Sequence, residues 1–388
     1  MAWSSGRSGA WAQPRGAAAR GHEAGDPGRD PVTDLRRIAF LLERTLESSY
    51  RVKAFRTAAA ALAALPADDV ALLASTGGLR GVKGIGERTA AVVEQSVAGE
   101  EPEYLAALEG SAGGPLATGG DPLRAALRGD LHTHSDWSDG GSPIEEMAWT
   151  ARDLGHEYAV LTDHSPRLTV ARGLTPARLR RQLGVVAGLR ADLAPFRLLT
   201  GIEVDILADG GLDQEPELLA ELDVVVASVH SDLRMPADAM TRRMLAAIEN
   251  PHTDVLGHCT GRYVVDRQFG PGLNGRTRSG KARPESQFDA ARVFAACAER
   301  GVAVEINSRP ERLDPPLRLL REAVAAGCLF AVDTDAHAPG QLDWQQIGCA
   351  RAEACGVDPA SVVDTWPLDD LLAWTEDHSH RPAGAGRR

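Results

Sequence analysis

Six of the eleven histidines in this chain of 388 residues stand directly after short apolar runs, most with a carboxylate close by. The first two lie in Gly129-Asp130-Leu131-His132-Thr133-His134-Ser135, with Asp139 five residues beyond His134. Residues two apart on an extended strand end project to the same side. Two imidazoles and a nearby carboxylate then suit a divalent transition metal. An isolated H-x-H carries little information, and a histidine after an apolar strand is usually just a satisfied polar residue. The recurrence is what carries weight. Thr162-Asp163-His164-Ser165, Gly201-Ile202-Glu203-Val204-Asp205, Ser228-Val229-His230, Gly257-His258-Cys259, Glu305-Ile306-Asn307 and Asp333-Thr334-Asp335-Ala336-His337 each follow an apolar run. His22, His156, His252, His378 and His380 fall in tails, loops or helix ends and receive no role.

The elements that must position these groups are seven strand candidates: Ala125–Leu131, Tyr158–Thr162, Phe196–Ile202, Val224–Ser228, Thr253–Leu256, Val302–Ile306 and Leu329–Val332. Helical patterns separate most of them. Such alternation predicts an α/β fold with a parallel sheet, open or closed into a barrel. In a barrel all C-terminal strand ends converge on one face. Ser142-Pro143-Ile144-Glu145 supplies an N-cap, a Pro at N1 and a Glu at N3 for the first connecting helix.

Composition is that of a globular protein, 43% hydrophobic and 25% charged. No apolar stretch approaches the ~20 residues that span a bilayer. The first 30 or so residues lack a signal-peptide apolar core and read as a disordered leader. The five cysteines, Cys259, Cys297, Cys328, Cys349 and Cys355, are odd in number without C-x-x-C spacing, which predicts reduced thiols in a cytoplasm. A net charge of −12 argues against coating nucleic acid by bulk electrostatics, though not against local phosphate contacts.

Residues 33–115 read as a helical module. Leu35, Ile38, Leu41, Leu42 and Leu46 recur at helical spacing over Asp34–Ser48, and an Ala/Leu helix stops before Pro66. Gly81-Val82-Lys83-Gly84-Ile85-Gly86-Glu87-Arg88-Thr89-Ala90 then opens a further helix. Glycines let the backbone turn tightly ahead of a helix N-terminus whose free N–H groups can seat a phosphate. This segment resembles the helix-hairpin-helix motif, and the helices before it resemble the N-terminal domain of X-family DNA polymerases. The resemblance implies DNA-backbone contacts through Lys83, Gly84, Gly86 and Arg88. The alternative is a turn that closes a helical hairpin and touches nothing. The module has nine Lys/Arg against eleven Asp/Glu, so any grip must come from backbone amides. Residues 116–124 form a linker, and no strand-borne D-x-D of a polymerase palm follows.

From about residue 128 to 345 the chain resembles the PHP (polymerase and histidinol phosphatase) domain. That resemblance implies a distorted seven-stranded barrel over residues 125–376, a disordered tail over 377–388, and two or three divalent metals (Zn²⁺, Mn²⁺ or Fe²⁺). Carried over residue by residue, one metal takes His132, His134, Glu203 and Asp335, a second takes Asp139, His164 and His337. A third takes His230 and His258, bridged by Glu203. Within the family the arrangement resembles a bacterial X-family polymerase that lacks its palm. Cys259 and Arg309 depart from the pattern, and Asp266–Pro284 reads as a basic insertion, able to meet a nucleic-acid backbone or to stay a solvated loop. Such metals suit hydrolysis of a phosphate ester by metal-bound hydroxide, without a covalent intermediate. His132, His134, Glu203 and Asp335 would carry the catalytic metal. Arg262, Arg309 and Arg312 are candidates to clamp the phosphate through their forked donors. Asp130 and Asp163 are expected to orient imidazoles, and Cys259 to pack. Three functions fit: a DNA end-processing enzyme (3′-5′ exonuclease or 3′-phosphatase type), a small-molecule phosphatase of the histidinol-phosphate type, or a non-catalytic DNA-binding protein with structural metals.

Overall fold

The computed structural model describes residues 29–264 and 282–379. Most of the leader and of the basic insertion, and nearly all of the tail beyond 379, lie outside the described residues. Contacts divide the chain into two compact units that part between Gly114 and Pro115.

The first unit is all helical. Its first helix spans Pro31–Arg44 and starts earlier than the periodicity predicts, because Asp30 caps the amides of Val32 and Thr33 and Pro31 occupies the first turn. Leu35, Ile38, Leu41 and Leu42 are fully buried on it. A second helix, Ser49–Ala63, is joined to it by a bidentate pair, Arg56 Nε and Nη2 to Glu43 at 2.9 and 2.7 Å. The glycine turn leads into the helix Glu87–Val97. Gly84 has φ +99°, and a Cβ there would press on Thr57 Cγ2 at 2.8 Å, so the turn needs glycine for both conformation and space.

The second unit holds six parallel strands in sequential order: β1 Tyr158–Leu161, β2 Arg197–Asp205, β3 Val224–Ser228, β4 Val255–Leu256, β5 Ala303–Glu305 and β6 Phe330–Ala331. Sequential parallel neighbours joined by helices curl the sheet into a partial barrel. The predicted first strand, Ala125–Leu131, is a correction: Asp121–Ala126 is a short helix, and no strand follows it. The segment after it instead makes single parallel bridges, Thr133 to Leu161 on one side and to Ala336 on the other. Side chains replace part of the missing ladder. Asp333 Oδ1 accepts from Leu131 N at 2.7 Å, Asp130 accepts from Thr334, and Thr162 Oγ1 accepts from Thr133 N at 3.0 Å. Carboxylates do here what carbonyls do in a strand. The connecting helix also begins later than expected, at Ile144 with Pro143 as its cap and no capping bond from Ser142.

Among the described residues no single helix is long and apolar enough to cross a membrane. All five cysteines are free thiols.

Gly129 fixes how closely the 129–134 segment approaches β1, because a Cβ there would overlap ring carbons of the fully buried Tyr158. Gly129→Ala should therefore cost about 1–3 kcal/mol through overpacking. Thermal unfolding of the variant checks this, and an unchanged midpoint would show that the seam has slack.

Candidate metal centre

Five of the six strands deliver a ligand at or just beyond their C-terminal ends. β1 runs into His164, β3 into His230, β4 into His258 and β6 into Asp335, while β2 carries Glu203 itself. Strand alternation places Glu203 and Asp205 on one face of β2, and likewise Glu305 and Asn307 on the line of β5.

The centre is built around Glu203, which is wholly buried. Its Oε1 lies 2.7 Å from His258 Nε2 and 3.2 Å from His230 Nε2. Its Oε2 lies 2.8 Å from His164 Nδ1, 3.4 Å from His132 Nε2 and 3.5 Å from His134 Nε2. Burial would raise this carboxyl, but the surrounding imidazoles hold it well below the usual carboxylate range. Asp335 behaves alike: burial opposes ionisation, while Arg312 and Arg309 pull the group well below its ordinary value. Asp335 also has φ +52°, a left-handed conformation uncommon for a non-glycine residue and frequent at functional sites.

All nine sequence-predicted ligands meet here, in four overlapping groups whose ligand atoms lie within 4.8 Å of one another. These are His134, Asp139, His164 and His337; His132, His134 and Asp335; His132, Glu203 and His258; and His164, Glu203 and His230. The grouping differs from the implied one. His258 shares a group with His132, and His230 with His164, because Glu203 reaches in both directions.

The donor set fits a divalent cation on the structure's own terms. His132 Nε2, His134 Nε2, His164 Nδ1, His230 Nε2 and Glu203 Oε2 are buried without a hydrogen-bond partner. Buried polar atoms are normally paired, and a cation at their focus is the partner that all of them lack. Mixed nitrogen and carboxylate donors favour transition metals over Mg²⁺.

Three rings are turned so that Nε2 faces the focus. His132 Nδ1 donates to Glu305 Oε1 at 2.6 Å, His230 Nδ1 to Asp205 Oδ1, and His337 Nδ1 to the Asp335 carbonyl at 2.8 Å. Burial opposes charge on His230, but Glu203 and Asp205 push it up to about 10. Asp205 and Glu305 are thus the ring-orienting carboxylates. The i, i+2 spacing from Glu203 to Asp205 on one strand was a signal for the first of them. Asp130 and Asp163 do other work: Asp130 accepts from the His132 amide at 3.2 Å, and Asp163 accepts from Ser135, Ser138 and Gln182. Both shape the ligand loops without touching a ring. The loop carrying Asp139 is further held by Arg172 and Arg178, which donate to the carbonyls of Asp136, Trp137 and Ser138.

The three arginines separate. Arg312 Nε lies 2.8 Å from Asp335 Oδ2, at the centre. Arg309 Nη1 donates to the Asp335 carbonyl at 3.1 Å and its Nε pairs with Glu311, so it braces the β6 exit. Arg262 is a correction. Its guanidinium is engaged by the carbonyls of Arg312 and Leu313 and by Glu285, because the turn at Gly261 (φ +58°) carries it along that backbone. Cys259 is buried with its Sγ 3.9 Å from Asp314 Oδ1, and burial raises its thiol well above the ordinary value, as packing requires.

In the helical unit Lys83, Gly84, Gly86 and Arg88 are all exposed. Gly86 caps the helix Glu87–Val97 without a side-chain acceptor for its first amides. Arg88 lies over the Tyr104 ring, Cζ 5.3 Å from its centroid.

Residues 130–309 match the family model of the PHP domain. The barrel unit is a PHP domain. Residues 27–101 match the helix-hairpin-helix domain model. The chain is 36% identical over 248 residues to the DNA polymerase/3′-5′ exonuclease PolX of Bacillus subtilis, covering 64% of this chain but 41% of that protein. It therefore spans under half the length of that relative. It is 29% identical over 219 residues to a probable phosphatase of Thermoanaerobacter sp., covering 54% of this chain and 78% of that protein. A crystal structure of histidinol phosphate phosphatase from Lactococcus lactis, complexed with zinc, L-histidinol and phosphate, aligns at 19% identity. Its TM-score is 0.39, over 60% of this chain and 95% of that one.

Removing metal should cost stability, since a ligand that binds only the folded state adds RT ln(1 + [L]/Kd). Chelator-treated protein is expected to melt lower than the reloaded form. Asp205→Asn and Glu305→Gln should each weaken metal affinity by about 10–100-fold, as loss of a ring-orienting partner does. Metal titration reads both, and wild-type affinity in both variants would refute the orienting roles.

Proposed function

We propose that this protein is a metal-dependent DNA end-processing phosphoesterase of the 3′-5′ exonuclease or 3′-phosphatase type. The observation that carries the hydrolytic part is the convergence of six imidazoles and three carboxylates, Glu203 among them. The DNA part is supported by the helix-hairpin-helix match and by the exonuclease named among the relatives.

Divalent ions held by His132, His134, Asp139, His164, Glu203, His230, His258, Asp335 and His337 would activate water as the nucleophile and neutralise the phosphoryl oxygens. The chain's own residues do the rest. Glu305 and Asp205 keep imidazole lone pairs aimed inward. Asp335 ties the ligand set to Arg312, whose fork suits a phosphate oxygen. In the helical unit, the amides after Gly86, with Lys83 and Arg88 beside them, would hold a DNA backbone weakly and in a salt-dependent manner.

A small-molecule phosphatase of the histidinol-phosphate type is the second reading. It is favoured by the probable phosphatase that the chain matches over 78% of its length.

With Mn²⁺, purified protein should shorten a 5′-end-labelled duplex or remove a 3′-phosphate. Activity on histidinol phosphate with none on DNA would select the second reading. Glu203→Ala or His132→Ala should abolish hydrolysis and lower bound metal together, and full activity in either would overturn the site. Gly84→Asp, which crowds Thr57 and adds negative charge at the hairpin, should weaken DNA binding while sparing hydrolysis of a small phosphate ester.

A further inference from the structure

Arg312 is buried against the centre, yet its Nη1 has no hydrogen-bond partner. An open buried donor is costly, and a flexible arginine would normally close it by wrapping fully onto its carboxylate. The side chain is instead held by the ring of Tyr263, whose centroid lies 4.9 Å from Arg312 Cζ. The same ring carries a second guanidinium, with Arg283 Cζ at 4.2 Å. Two guanidinium groups on one tyrosine repel each other, so the stack exists only because the backbone enforces it.

That enforcement is visible. Tyr263 and Arg283 exchange both backbone hydrogen bonds at 3.0 Å, and Arg283 Nε donates to the Gly261 carbonyl at 2.5 Å. Val264 N donates to the Glu311 carbonyl at 2.7 Å, next to the turn closed by Arg312 N on the Arg309 carbonyl. Arg262 Nε holds the Arg312 carbonyl at 3.0 Å. Ring, second guanidinium and turn therefore form one frame, from which Arg312 Nε reaches the ligand carboxylate of Asp335 at 2.8 Å, closer than Arg309 Nη1 at 3.6 Å.

We infer that Tyr263 and Arg283 are positioning residues that hold Arg312 with Nη1 presented to a phosphoryl oxygen of the substrate, setting the site's affinity for the anion and not its metal content. The inference rests on the phosphoesterase reading. Repulsion from Arg283 keeps Arg312 turned toward the centre, and the ring face stabilises that orientation through a cation–π contact in a desolvated setting. An arriving phosphate then supplies the acceptor that Nη1 lacks.

The test is calorimetric binding of inorganic phosphate to the metal-loaded full-length protein, with metal content measured on the same samples. Tyr263→Leu should weaken phosphate about thirtyfold, the size of a desolvated cation–π contact, and leave metal content unchanged. Tyr263→Phe, which keeps the ring, should stay near wild type, and Arg283→Gln should also weaken phosphate. In turnover, Tyr263→Leu should raise KM far more than it lowers kcat. If Tyr263→Leu does not fold, Arg283→Gln decides alone. Wild-type phosphate affinity in Tyr263→Leu or Arg283→Gln, with affinity lost in Arg312→Gln, overturns the inference and leaves the arginine clamp standing. Unchanged affinity in Arg312→Gln, or no phosphate binding by the wild type, overturns the clamp and this inference with it. Loss of metal in Tyr263→Leu assigns the ring to the metal centre and overturns it as well.

Discussion

One carboxylate with five imidazoles around it is the arrangement the barrel unit depends on. A bare ionised carboxylate taken out of water costs several kcal/mol even after relaxation. Glu203 has no exposed surface, and its two oxygens reach His132, His134, His164, His230 and His258. Those rings come from four different places in the chain, so Glu203 is acceptable inside the protein only when the whole curl of strands is in place. Burial opposes charge on His132, yet Glu203 and Glu305 hold its proton well above the ordinary range, and His230 is raised as well. Protons and cations thus compete for the same nitrogens, and cation binding must displace protons from the rings that Glu203 holds charged.

The seam between the 129–134 segment and β6 carries the same logic into the backbone. A regular seventh strand would align His132 and His134 on a pleat and pair every amide with a carbonyl. The structure gives Thr133 one bridge on each side and lets Asp333, Asp130 and Thr162 accept or donate where a ladder would. Freed from a ladder, the chain can curve so that His132 and His134 rings come within 5.1 Å and both look onto Glu203. The carboxyls that make this possible are buried, and burial raises Asp130 to about 6 and Asp364, which accepts from Val332 N, to about 7. Regularity is given up where ligands must converge.

This also explains what could and could not be read from the residues. The ligand set was legible because most ligands stand within or a few residues beyond an apolar strand, and strands β1 to β6 fall on the predicted runs. The missing strand was not, because Asp130 and Asp333 substitute for carbonyls, and a side chain doing backbone work leaves no periodicity. The partition of ligands was also illegible: Glu203 reaches in two directions, and only three-dimensional distances say which rings each oxygen meets. Asp205 and Glu305 were present in the quoted strand ends, and their role follows from strand alternation. Arg262 misled because its place after His258 says nothing of the turn at Gly261 that turns it away.

Charge balance then separates the two units by what they can do. The helical unit has slightly more acidic than basic side chains, so it cannot draw nucleic acid by field alone, and on the proposed reading its grip would be confined to a few phosphates near the hairpin. The metal centre is also rich in carboxylates, which would repel a phosphate. Cations held by Glu203, Asp335 and Asp139 would reverse that sign locally, and Arg312 and Arg309 add fixed positive charge on the Asp335 side. An anionic substrate therefore meets attraction only where metal ligands and arginines coincide. The specificity of such a site comes from placement of a few charges, and the frame that places Arg312 matters as much as the charge itself.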